Sequence, residues 1–147
     1  LPICDGKLIG VNVAIASTGS SSSGQTGNIG VGFAIPSNIA HRIAEDIIAD
    51  GKATHGLLGA SVQDASGLKN ATVVGAAIAK VTSGGAAATA GIQAGDVVTG
   101  FNGSPITDAS DLTAQVRAVA GGSTATLTID RNGQSQDITV TLGTLSQ

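Results

Sequence analysis

Two glycine-punctuated segments constrain this chain more than any other feature. Gly56-Leu57-Leu58-Gly59-Ala60-Ser61-Val62 reads as a tight turn feeding a strand, because glycine accepts backbone dihedrals closed to other residues. Thr89-Ala90-Gly91-Ile92-Gln93-Ala94-Gly95-Asp96-Val97-Val98 reads as the end of a short helix, a glycine stop and another strand. A chain broken up in this way alternates short strands and short helices.

The second half follows that pattern throughout. Ala71 to Val81 is a β-type stretch interrupted at Gly75, and Ala86 to Ala90 is a short alanine-rich helix. Asp96 to Phe101 reads as a strand running into Asn102-Gly103, a tight-turn signal. Asp108 or Thr107 can cap the next helix, whose inner face is Leu112, Val116 and Val119 and whose end is Gly121-Gly122. Thr124 to Ile129 and Asp137 to Leu142, joined through Asn132-Gly133, alternate apolar and polar residues as strands buried on one face do. The expected class is α+β, mainly β: a small, partly open barrel with two helices.

The first half has a different rhythm. Lys7 to Ala16 and Ile29 to Ile35 are rich in β-branched residues and read as strands, with a Gly/Ser/Thr stretch from Ser17 to Gly27 as a mobile loop between them. Pro36 stops the second strand and Ser37 is the expected helix N-cap. Ile39, Ile43 and Ile47 recur every four residues in the helix, beside Ile48, and Gly51 is placed to end it. The predicted domains are residues 1–52 and 53–147.

A length of 147 residues suits one domain plus a fragment. With no Trp, Tyr or Met, and only Phe33 and Phe101 as aromatics, the core must be built from Ile, Val, Leu and Ala. The net charge of −3 and the lack of a basic run argue against a nucleic-acid partner. Cys4 is alone, so an intrachain disulfide is excluded, and one Cys with two distant His residues assembles no zinc site. Neither metal nor cofactor is expected. No apolar run approaches the eighteen or so residues that span a bilayer, so no membrane contact by this chain is expected. Leu1 in place of Met, without a signal peptide, reads as a processed or excised piece.

Several stretches taken in order carry a resemblance. Gly6-Lys7-Leu8-Ile9-Gly10-Val11-Asn12-Val13-Ala14-Ile15-Ala16 and Gly30-Val31-Gly32-Phe33-Ala34-Ile35-Pro36-Ser37 are followed by a helix, then Leu58-Gly59, Ala90-Gly91-Ile92-Gln93-Ala94-Gly95-Asp96 and Asn102-Gly103. The chain resembles the C-terminal part of an HtrA/Deg trypsin-like serine protease: the last strands and terminal helix of the protease domain, then its PDZ domain. The resemblance covers nearly the whole chain, apart from Leu1 to Cys4 and the extreme C-terminus. It implies that Ser17 to Asn28 is the loop bordering the protease specificity pocket. It also implies an extracytoplasmic parent: periplasmic, cell-surface or secreted. The family's Gly-Asn-Ser-Gly-Gly motif is not in the sequence, nor are its upstream catalytic His and Asp. Acyl transfer needs nucleophile, base and oxyanion hole together, so no catalytic residue is assigned and the chain alone is expected to be inert.

The resemblance implies binding of polypeptide C-termini, to recruit substrate or regulate proteolysis. The backbone amides of Leu58, Gly59 and Ala60 would hold the terminal carboxylate, since successive N–H groups in a turn suit an anion. The strand from Ala60 through Ser61 and Val62 would pair with the ligand as an added strand. Leu57, Leu58, Val62, Leu112 and Val116 would line the groove and favour a hydrophobic last residue. The alternatives are a stand-alone scaffolding PDZ module and a purely structural domain with an occupied groove. Residue type alone would make Leu58, Leu112 and Val116 ordinary core. His55, with Lys52, reads as exposed linker, with electrostatic help to the carboxylate as the other reading. His41 reads as a solvated helix face, and Asp96 and Asp111 as structural carboxylates. Gly24 to Gly30 lacks the Lys of a phosphate loop. The strands before Gly51, deprived of barrel partners, are expected to pack on their own helix or to self-associate.

Overall fold

The computed structural model describes residues 3–18, 27–67 and 73–146. The chain divides into two compact units, Leu1–Gly51 and Lys52–Gln147.

The first unit opens with strands β1 (Ile3–Cys4) and β2 (Lys7–Leu8), paired through a turn in which Asp5 and Gly6 both have positive φ. Strands β3 (Gly10–Thr18) and β4 (Gly27–Pro36) then form an antiparallel ribbon from Gly10↔Pro36 to Thr18↔Gly27, with two register shifts. The stretch from Lys7 to Ala16, expected as one strand, is broken at Ile9, whose carbonyl accepts from the Ser37 N–H (3.1 Å). The expected loop from Ser17 to Gly27 is described only at its two ends. Ser17, Thr18 and Gly27 belong to the strands, and residues 19–26 lie outside the described set. Helix α1 (Ser37–Asp50) follows directly. Its N-cap is Pro36 and not Ser37, because the chain leaves β4 already in the helical turn and no side chain caps it. Gly51 ends it at φ 71°, donating to the Ile47 carbonyl (2.9 Å). No residue of α1 is buried, and Val13, Phe33, Ile35 and Ile48 are exposed.

The second unit contains β5 (Thr54–Leu57), β6 (Ala60–Asp64), a 3-10 turn (Ala65–Gly67), β7 (Ala76–Val81), α2 (Ala86–Thr89), β8 (Val97–Phe101), β9 (Ser104–Pro105), α3 (Ala109–Ala118), β10 (Thr124–Arg131), β11 (Gln134–Thr141) and β12 (Gly143–Ser146). The main sheet has the order β11-β10-β8-β7-β6, with β9 folded back on β8, and β12 pairs separately with β5. Of the β-type stretch from Ala71, residues 71 and 72 lie outside the described set and the strand begins at Ala76. Both Asn-Gly pairs make hairpin turns with positive φ at each residue. Asn102 also accepts the Thr126 N–H on its side-chain oxygen (2.9 Å), locking the turn to β10.

The core forms as the alternation dictates. Ala125, Leu127 and Ile129 of β10 point inward and meet Val140 of β11, Val98 and Phe101 of β8, Ile78 of β7 and Leu142. Leu112 and Val116, one turn apart on α3, close this core from the side. The result is mostly sheet, a partly open barrel with two helices in this unit. The exposed linker expected around Lys52 and His55 needs correction: Thr54 to Leu57 form β5, because β12 supplies a partner whose pairing runs from Leu57↔Gly143 to Thr54↔Ser146.

Candidate functional site

The turn between β5 and β6 is shaped by backbone contacts. Gly59 has φ 72°, in the left-handed region that disfavours a side chain. A Cβ there would lie 3.2 Å from the Gly85 Cα, so glycine meets glycine where the turn rests on the start of α2. The Leu58 carbonyl accepts from Ala87 N–H (2.8 Å) and the Gly59 carbonyl from Thr82 N–H (2.9 Å). Both carbonyls are thus held inward. Among the described residues no acceptor is found for the N–H of Leu58 or Gly59. Two adjacent donors are left without a partner among the described residues.

Strand β6 leaves this turn at the edge of the main sheet, hydrogen-bonded to β7 on one side only. Helix α3 covers its other flank. Gly56 N–H donates to the Val119 carbonyl (2.7 Å) at one end, and at the other the Ala109 N–H donates to the Asp64 carboxylate (2.9 Å). Gly56 has no room for a side chain, since a Cβ would strike the Val116 carbonyl. Asp108 caps α3, accepting from Asp111 N–H (2.8 Å), as one of the two expected caps. Asp111 is held below the usual carboxylate range by hydrogen bonds from Gln115 and Thr107.

Between β6 and α3 lies a cavity of about 60 Å³ lined by Gly56, Leu57, Leu58, Gly59, Ala60, Val62, Leu112, Thr113, Val116 and Arg117. Seven of the eight residues singled out from the sequence are therefore brought together here. Ser61 is the exception: it is exposed on β6 and does not line the cavity, since neighbouring strand residues face opposite ways. Leu58, Leu112 and Val116 are 6%, 1% and 5% exposed, so they belong to the core and form the cavity wall with one surface. Gly56, Thr113 and Arg117 were missed. Thr113 and Arg117 each follow an apolar wall residue on α3, and a search for aliphatic positions alone passes over them.

His55 is not linker. It sits in β5 and its Nδ1 lies 2.9 Å from the Arg117 carbonyl, bracing the end of α3. Asp96 is structural, as expected, and its partner lies far away in sequence. Arg131 donates to both of its carboxylate oxygens at 2.7 Å, and the Gln93 N–H adds a third bond (2.8 Å). Burial opposes ionisation of Asp96, but these bonds and the Arg131 charge outweigh it and hold the carboxyl below its usual range.

In the first unit Ser37 and His41 border a second, open concavity with Leu8, Asn38 and Ala40, and His41 Nδ1 is 3.3 Å from Glu45 Oε2. Among the described residues no hydrogen bond joins Ser37 Oγ to His41. Among the described residues no group of three or more His, Cys, Asp or Glu is placed to hold a metal. No described helix is long and apolar enough to cross a membrane.

Residues 56–142 match the PDZ domain family. Serine protease PepD of Mycobacterium tuberculosis is 46% identical over 143 residues, covering 96% of this chain and 30% of the relative. Periplasmic pH-dependent serine endoprotease DegQ of Escherichia coli is 35% identical over 145 residues, covering 95% of this chain and 30% of the relative. The HtrA-type protease AlgW, solved with a decapeptide, superposes with a TM-score of 0.61 at 32% identity, over 95% of this chain and 43% of that one. The chain spans about a third of the length of the curated relatives it matches. It belongs to the PDZ domain family, in the setting of the HtrA/Deg serine proteases.

Proposed function

We propose that this PDZ domain binds the C-terminal ends of polypeptides whose last residue is hydrophobic. The observation that carries the reading is the pair of unengaged amides, Leu58 and Gly59, at the head of an open-edged strand with an aliphatic cavity beside it. A terminal carboxylate would be held by the amides of Leu58, Gly59 and Ala60. The ligand backbone would add to the edge of β6 along Ala60, Ser61 and Val62, and its last side chain would enter between Leu58, Val62, Leu112 and Val116, with Leu57 at the rim.

Residues 1–52 are proposed to be the end of a trypsin-like protease domain and residues 53–147 the PDZ domain that serves it, recruiting substrate or regulating proteolysis in an extracytoplasmic compartment. The periplasmic relatives support that location. The peptide in the AlgW structure supports a peptide ligand. A stand-alone scaffold is disfavoured because the similarity to proteases extends through both units. A groove filled by the chain's own last strand is disfavoured because β12 is committed to β5 and leaves the β6 edge open. Amide NMR during titration with a peptide ending in Val tests the reading. Shifts centred on Leu58, Gly59 and Ala60 that vanish when the peptide is C-terminally amidated are expected, and equal binding of both forms would refute carboxylate recognition.

A further inference from the structure

The two ends of the β6–α3 groove carry opposite charges. Helix α3 runs antiparallel to β6: its first residue, Ala109, is tied to Asp64 at the far end of the strand, and its last turn is tied to Gly56 and His55 beside the turn. Ten helical residues rise about 15 Å, and four strand steps cover about 13 Å, so helix and strand match in length. Arg117, in the last turn of α3, lines the cavity at the Leu57–Ala60 end. Asp64 closes the other end, reaching across from β6 to α3 with one carboxylate oxygen while the exposed side chain leaves the second to solvent. The carbonyls at the C-terminal end of α3 would disfavour an anion beside them. A guanidinium there offsets that field.

We propose that this groove is poled, and that it selects C-termini carrying a basic residue four positions before an apolar last residue. The inference rests on the peptide-binding reading above. Arg117 attracts the terminal carboxylate, adding charge to the neutral amides of the turn. A ligand strand antiparallel to β6, with its last residue opposite Ala60, advances one residue per strand step, so the residue four places upstream comes opposite Asp64. An ammonium or guanidinium there pairs with the open carboxylate oxygen. An acidic residue at that position meets a like charge.

The test uses the full chain and three labelled peptides ending in Val that differ only at that upstream position: Lys, Glu or Ala. Binding is followed by fluorescence anisotropy at low and high salt. The Lys peptide is expected to bind about fivefold more tightly than the Glu peptide at low salt, an effect on the scale of an exposed ion pair. The preference should shrink with added salt. Asp64→Asn keeps an acceptor for the Ala109 N–H and removes the charge, so it should abolish the Lys preference with the thermal midpoint retained. Arg117→Gln should weaken the Ala peptide and flatten its salt dependence. Equal binding of the Lys and Glu peptides would overturn the inference while leaving carboxylate recognition intact. An Ala peptide that binds no better than its amidated form would instead overturn the reading beneath it.

Discussion

Asp96 and Arg131, thirty-five residues apart, meet in a two-pronged ion pair in which the carboxylate is 2% exposed. Arg131 donates a further bond to the Gly91 carbonyl (2.9 Å), so the pair joins the end of β10 to the loop between α2 and β8. The folded-state pKa of Asp96 lies below its ordinary 3.8, so its contribution is present above that value and is lost as pH falls through the folded pKa. Asp96→Asn should cost about 2 kcal/mol at neutral pH, the scale of hydrogen bonds to a charged group. Denaturation midpoints of both proteins between pH 7 and pH 3 check the sign. The gap should be widest above about pH 5 and narrow below 3.8. A gap that widened in acid would contradict the pairing.

Gly59→Ala should injure binding more than stability. The left-handed φ costs an L-residue about 1 kcal/mol, and the new methyl group presses on the Gly85 backbone. The turn must shift to relieve it, which misaims the Leu58 and Gly59 amides. Isothermal titration with a Val-ended peptide should show about tenfold weaker binding, on the scale of one lost charge-assisted hydrogen bond. Unchanged affinity would show that the turn amides take no part.

Leu112 serves core and groove at once, so its truncation should report on both. Leu112→Ala is expected to destabilise the domain by about 3 kcal/mol, as a buried large-to-small change. Where the fold survives, the enlarged cavity should move the preferred last residue from Val towards Phe. A peptide series differing only in that residue measures the shift, and an unchanged ranking would place Leu112 outside the ligand's path.

The first unit offers a separate test. Val13 is 60% exposed and Phe33 58%, on neighbouring strands β3 and β4. Light scattering should show mass rising with protein concentration, and Phe33→Glu should suppress the rise. A strict monomer at every concentration would dismiss self-association through these strands.

What could be read in advance was local. The Asn-Gly turns, the Gly51 stop, the Asp108 cap and the Leu112–Val116 stripe each declare themselves within a few residues, because sterics and helical period act at that range. What escaped depends on partners distant in sequence. β5 is four residues of mixed character that become a strand only when Gly143 to Ser146 pair with them. Asp96 gives no hint of Arg131, and Arg117 belongs to the groove only because Gly56 and Val119 draw the helix end to the turn. Ser37 resembles a cap by residue type, yet β4 runs straight into α1 and leaves Ser37 inside the first turn.

The fastening of α3 at both ends has a consequence for how ligands are met. A helix pinned to Asp64 at its start and to Gly56 at its finish has its distance from β6 set at both ends of the slot. Its backbone order is gained when the chain folds, so on binding the helix backbone has little further freedom to surrender. Such a slot behaves as a fixed gauge. On the proposed reading, the loose end of another chain would be measured against that standard without the slot reshaping itself.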